Sequence, residues 1–489
     1  MKKFAKVLSL ALLAALVLSC AAVAAPKVKK AKQSAKPAVS KTVYLQSPGW
    51  EPHAKAILNQ MFDMYGKNSP NYNPKLRPYA TFDWDNSIAI LDVYEQMLIY
   101  QLEHLRFAIK PSQMYEVLIT GVPDINKDCG EDYNHQTIAN GAKDAAAAYA
   151  KLYAKGLVKI DNSQEKHMKE WMATDDWKEF ATKVRWLYDA IGDTYSVDVS
   201  YPWITYLITG MTPKEVQQLA YESHVYYSNL VAKDPTQWKK CTWESPANYP
   251  GAAAGQLKIT FNQGITVSPE LKELIADLDA NGMDMWVVSA SFRNIIIPAV
   301  KAFGLKGVDG VIGMENKMKN GRFINVYDFD IHAQPQGLGK SESIVQVLMP
   351  KYKGHGPILG VFDSQGDFNF VTEFKDMAVG LCLNRARKDD AGLCAAVALW
   401  QDKNNIDLKK AQEMGDTRYV LQGRNENIGQ LWPKNEVLRL GKTKPELLSS
   451  KGEKWLAMLD SGEKTPRTLI NSCMELTGKL KKYIGYRTR

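Results

Sequence analysis

From Gly251 to Leu383, short apolar runs alternate with amphipathic stretches long enough to be helices, and this alternation restricts the chain more than any other feature. Residues 257–261, 283–288, 308–314, 358–362 and 377–383 read as strands, with helices over 269–281, 295–303 and 341–349. Strands joined by helices pair in parallel through right-handed crossovers, which leaves helices on both faces of the sheet. A further strand, ending in Tyr79-Ala80-Thr81-Phe82, belongs to the same sheet but lies far earlier in the chain. The spacing between it and Gly251 is helical, over 88–109, 142–152, 165–172, 176–191 and 213–231. Thr212-Pro213 opens the last of these with a hydroxyl cap and a proline in the first turn. The expected fold is therefore α/β: a Rossmann-like parallel-sheet core (46–87 and 251–394) with a large all-helical cap (88–250) inserted after the first strand. A helix over 50–66 precedes that strand, and residues 395–489 read as a C-terminal appendage packed on the core.

The net charge of +9 hints at nucleic acid until it is located. Residues 1–41 hold nine lysines and no acid, so residues 42–489 are neutral on balance and nucleic acid is not an expected partner. The same segment begins with Lys2 and Lys3 and continues into a short apolar run, the pattern of an export leader over 1–24. Val17-Leu18-Ser19-Cys20 offers a lipidation site, which would make Cys20 a membrane tether; Ala22-Val23-Ala24 offers ordinary cleavage instead. Residues 25–45 then read as a disordered basic tether, and the expected location is outside a bacterial cytoplasm, periplasmic or membrane-anchored. Export permits disulfides. The spacing pairs Cys382 with Cys394 and, second, Cys129 with Cys241; five cysteines beyond Cys20 leave one over.

Chemistry gathers where strands end. Asp83 and Asp85 follow the first strand; two apart on extended backbone, they project to the same side, with Ser87 beyond them. Two close carboxylates divide into one ionised group and one that holds a proton. Ser289 follows Val287-Val288, Gly339-Lys340-Ser341 opens a helix, and Asp363-Ser364-Gln365-Gly366-Asp367 follows Val361-Phe362. Ser291 reads as a turn residue that could also donate a further bond, and His135, His167 and His224 show no ligand spacing.

These four motifs, in this order, resemble those of haloacid-dehalogenase-superfamily phosphatases, over roughly residues 77–90 and 255–385. The resemblance implies that Asp83 is a nucleophile forming an aspartyl-phosphate and that Asp85 is the general acid and base. It implies that Ser87, Ser289 and Lys340 hold the phosphoryl group. Asp83, Asp363 and Asp367, with Asp85 through its main-chain carbonyl, would hold Mg²⁺. Two positions depart from the usual pattern: Ser87 stands where threonine is commoner, and Phe362 where glycine is frequent.

The inserted helices resemble the caps of the phosphoserine-phosphatase-like branch and of secreted bacterial phosphorylcholine phosphatases. Trp171, Trp177, Phe180, Trp186, Tyr188, Tyr195, Tyr201, Trp203 and Tyr206 crowd one part of the insert. They would form the insert's own core, with a few facing the cleft as an aromatic box for a quaternary ammonium group beside Asp189, Asp193 or Asp198. The expected function is an exported Mg²⁺-dependent phosphomonoesterase acting on a small organic phosphate, phosphorylcholine first. Phosphoserine phosphatase, a broad acid phosphatase or phosphotransferase, and a non-catalytic ligand-binding surface lipoprotein are the alternatives.

Overall fold

The structure, a computed structural model, describes residues 43–473. The leader, Cys20 and nearly all of the tether lie outside these residues. Helix α1 (Pro52–Tyr65) precedes the first core strand, β1 (Tyr79–Phe82). The core strands that follow are β2 (Asp284–Phe292), β3 (Gly310–Met314), β4 (Leu359–Phe362), β5 (Val379–Leu383) and β6 (Arg418–Gln422). They form one six-stranded parallel sheet in the order β6–β5–β4–β1–β2–β3. The chain runs outward from β1 through β2 to β3, then crosses back to place β4 on the other side of β1. That reversal opens a crevice at the carboxyl ends of β1 and β4, the usual ligand position in such sheets. β1, β4, β5 and β6 are buried at every residue, as expected for strands covered on both faces.

Three expectations are corrected. Lys258–Gln263 is a strand, but it pairs antiparallel with Lys239–Glu244, outside the parallel sheet. Its alternating burial suits a ribbon covered on one face, whereas the buried parallel strands are apolar throughout. The insert is therefore helices plus a strand, not helices alone. Residues beyond 394 are more than an appendage, because β6 completes the sheet. The helix expected at 88–109 starts later, at Val93: Ala89–Ile90 pairs with Thr266–Val267, and the Asp92 carboxylate then caps helix α2 (Val93–Glu103).

The insert continues through α3 (Ile138–Ala154), α4 (Asp175–Thr194) and α5 (Pro213–Lys233), the last with the capping box that Thr212 and Glu215 complete. Its buried Lys183 holds Asp144 and Glu179, and Asp144 accepts the amides of Ala253 and Ala254 where the chain returns to the core. A hairpin following β3 (Asn316–Lys319 and Arg322–Tyr327) joins insert to core, with reciprocal main-chain bonds between Gly210, Met211 and Phe323. Asn316 adds side-chain bonds to Thr205.

All five cysteines of the described residues are free. The expected pairs Cys382–Cys394 and Cys129–Cys241 are absent. Cys382 on β5 and Cys394 on the helix Asp390–Lys403 are buried in the apolar layer between sheet and helix, where a thiol packs as a small hydrophobe. The thiols of Cys129 and Cys241 are directed instead at the Lys127 carbonyl and the Gln263 side chain.

His224 on α5 is fully buried, with Nε2 3.0 Å from the Ile295 carbonyl. Burial pulls its pKa from the ordinary 6.5 down to about 4. The unfolded chain thus binds an extra proton between those values; the stability from neutral His224 is complete above pH 6.5 and is lost as pH falls towards 4. We expect His224→Gln to lose about 2–3 kcal/mol less than wild type between pH 7 and pH 4. Urea unfolding at the two pH values measures this, and equal losses would refute it.

Candidate active site

β1 and β4 are neighbours in register, Phe82 opposite Val361, so the residues that follow them, Asp83 and Asp363, emerge side by side. β2 runs past the end of β1 and carries Ser289 and Ser291 into the same region. Lys340 arrives from the short helix Leu338–Ser343, whose continuation passes through a π-helical turn at Ile344–Leu348. Asp367 closes the turn after Asp363 and accepts the amides of Asp363 and Ser364. Ligand oxygens of Asp83, Asp363 and Asp367 all lie within 4.8 Å of one another.

Three buried carboxylates in this space need cations. Lys340 supplies one, 2.5 Å from Asp83 Oδ1 and also bonded to Asp367. Arg385 supplies another, 2.7 Å from Asp363 Oδ2. Ser87 donates to Asp83 Oδ2 at 3.0 Å and reaches Asp363 Oδ1 at 3.4 Å. Burial, then the charge of Asp367, pushes the Asp83 carboxyl well above the usual carboxylate range, and Lys340 opposes the shift. Burial disfavours the lysine's charge as well, but Asp367 and Asp83 more than offset it and its pKa is raised. A hard cation with oxygen ligands fits this donor set: the carboxylates are clustered and buried, and a further positive charge would favour ionised Asp83.

Asp85 is held differently. Its Oδ1 accepts the amide of Val93 at 2.8 Å, and its Oδ2 accepts the hydroxyl of Ser291 at 2.5 Å. Burial raises its pKa well above the usual range, with the charges of Asp92 and Asp83 adding to the effect. Burial favours the protonated acid at Asp85 against the bonds from Ser291 and Val93, and two residues away the Lys340 cation opposes the same effect of burial on Asp83.

Asp83, Asp85, Lys340, Asp363 and Asp367 line a cavity of about 630 Å³. Ser87 lies just behind it, on Asp83. Ser289 is fully buried outside the lining and accepts the Ser291 amide; Ala290 and Ser291 are the β2 residues that reach the cavity. Sequence reasoning therefore gave Ser291 too small a part, although its two-residue spacing from Ser289 places both on one side of the strand. Asp92 was missed too, despite standing as an acid at a helix start, and so was Arg385, for which the sequence holds no signal.

From the insert, Tyr94, Tyr188, Tyr201, Asp198 and Ile204 line the same cavity. Of the crowded aromatics, Trp171, Trp177, Phe180, Trp186, Trp203 and Tyr206 are buried in the hydrophobic core, and Tyr195 bonds the Asp124 carbonyl. Asp189 pairs with Arg185, and Asp193 with Tyr133.

No protein-family model matches the chain, and no curated protein matches it. Among solved structures, a protein of unknown function from Anaerococcus prevotii DSM 20548 is 26% identical with a TM-score of 0.67; the match covers 83% of this chain and all of that one. A HAD-family hydrolase from Salmonella enterica serovar Typhi shares 8% identity at a TM-score of 0.29, covering 62% of each chain. A phosphoserine phosphatase in a phospho-aspartyl intermediate analogue state shares 11% at 0.27, covering 63% of this chain and 86% of that one.

Proposed function

We propose that this chain is a phosphomonoesterase of the haloacid-dehalogenase type, exported and Mg²⁺-dependent, that works through an aspartyl-phosphate. The observation that supports this most strongly is the placement of Asp83 and Asp85 at one cavity with different partners, the Lys340 cation on the first and the Ser291 hydroxyl on the second. Asp83 attacks phosphorus, and the bond to the leaving oxygen breaks as Asp85 gives that oxygen its proton. Water then attacks the aspartyl-phosphate, Asp85 takes back a proton from it, and the bond to Asp83 breaks to release phosphate. Lys340 and the hydroxyl of Ser87 hold Asp83 in place and balance charge around the transferring group. Mg²⁺ held by Asp83, Asp363, Asp367 and the main-chain carbonyl of Asp85 would supply counter-charge to the phosphoryl oxygens when bound. The residues of the insert that line the cavity shield this chemistry from bulk water and set what leaving group fits.

Tyr94, Tyr188 and Tyr201 beside Asp198 support a cationic leaving group of the choline kind. Arg387 in the same lining favours a second reading, a leaving group bearing a carboxylate such as serine. Turnover of a panel including phosphorylcholine, phosphoserine and an uncharged aryl phosphate, with Mg²⁺ and with EDTA, separates them. For the first reading we expect Tyr201→Leu to raise KM for phosphorylcholine about 3–30-fold while leaving the aryl phosphate unchanged. An equal rise for both substrates would remove the cation box. No Asp83-dependent turnover of any substrate would remove the enzyme.

A further inference from the structure

The segment after β6 reaches the active-site loop. Gly423 follows β6 at a place where a Cβ would meet the carbonyls of Glu436 and Lys434 at 2.2 and 2.4 Å, so the chain turns there only as glycine. The next residue, Arg424, is buried, and its guanidinium forks onto Asn86: Nη1 donates to the main-chain carbonyl at 2.5 Å and Nη2 to the side-chain carbonyl at 3.1 Å. Glu426 holds the other edge of the same guanidinium through Oε1, at 3.0 Å to Nε and 2.6 Å to Nη2. The remaining Glu426 oxygen accepts the Leu440 amide at 3.0 Å, so the arginine is fixed from behind.

Asn86 stands between Asp85 and Ser87 with φ of 61°, in the left-handed region. Asparagine tolerates that region better than most residues, but it still has an ordinary alternative with negative φ. A flip to that alternative would rotate the peptides on both sides of Asn86 and carry Asp85 and Ser87 with them. The fork grips the carbonyl that such a flip would have to move.

We propose that Arg424 is a positioning residue for this site: by gripping both oxygens of Asn86 it keeps the loop left-handed and so sets where Asp85 and Ser87 stand. It does not line the cavity and touches no substrate. The inference rests on the functional reading above, since its readout is turnover. Residues bonded behind a reacting group typically alter rate about 10–100-fold when changed.

The test uses the full chain. Arg424→Gln alone strands Glu426 as a buried charge, so it is paired with Glu426→Gln, which removes both charges together. We expect kcat of the double variant to fall about 10–100-fold with KM within about threefold. Arg424→Lys, able to reach one Asn86 oxygen but not both, should recover part of the rate. Asn86→Val, which leaves the arginine intact but disfavours positive φ, should reproduce the loss. A folded double variant with wild-type kcat, or a loss confined to KM, overturns the proposal. If the double variant does not fold, Asn86→Val decides alone, and wild-type kcat there overturns it equally. Wild type lacking Asp83-dependent turnover is a separate result: it removes the functional reading and this inference with it.

Discussion

Asp83→Asn is expected to lower kcat by about 10⁴-fold or more while leaving the folded chain at least as stable as wild type in EDTA. The two halves have one cause. One oxygen of the carboxylate would bond phosphorus, and an amide of the same shape cannot form that acyl phosphate. Yet Asp83 is buried beside Asp363 and Asp367, and their repulsion together with desolvation opposes its charge. Removing one of three negative charges relieves the cluster while Lys340 keeps Asp367 as its partner. Single-turnover assays and thermal unfolding measure the two effects side by side. A stability loss matching the activity loss would show that Asp83 holds the fold rather than the reaction. Near-normal turnover would remove it as nucleophile.

Lys340→Gln should cost both activity and stability. Asp83 and Asp367 would lose their shared buried cation, and breaking such a pair from one side costs about 3–5 kcal/mol at neutral pH. We expect kcat to fall about 10²–10³-fold as the counter-charge disappears. The carboxylates left behind have folded-state pKa values above their unfolded ones, so the folded state takes up protons as pH falls. The gap between variant and wild type should therefore narrow from pH 7 to pH 5. Adding Asp83→Asn should restore stability and leave turnover absent. Urea unfolding of the single and double variants across that range tests this, and a single variant as stable as wild type at pH 7 would refute it.

The parallel sheet and most of the site lie near the surface of the sequence because their causes are local. Apolar runs of strand length, and polar residues immediately after them, brought Asp83, Asp85, Lys340, Asp363 and Asp367 to one cavity. Contributions from distant segments were illegible. β6 reads no differently from other apolar runs in a region of mixed pattern, and only its pairing with β5 makes it core. Arg385 and Arg424 carry no motif; Arg385 reaches Asp363, 22 residues back, and Arg424 reaches Asn86, 338 residues back, only once the sheet has brought those segments together. The cysteines misled for the converse reason, since twelve-residue spacing says nothing about whether two thiols share one apolar layer. The strand at 258–263 shows how burial pattern decides: alternation signalled one covered face and hence a ribbon, not a place in the doubly covered sheet.

Among the described residues, β1 pairs with β2 and β4 and with no strand closer in sequence. During synthesis at about 5–20 residues per second, Phe82 waits roughly 10–40 s for Asp284 to be made. The insert's helices need only near neighbours and can form in that interval. β1 is therefore made well before either of its partner strands and is among the last parts of the chain to find its place. For as long as it waits, both of its hydrogen-bonding edges are open to any other extended segment. A holding factor that shields an unpaired strand would matter more to the yield of this protein than one that speeds helix formation.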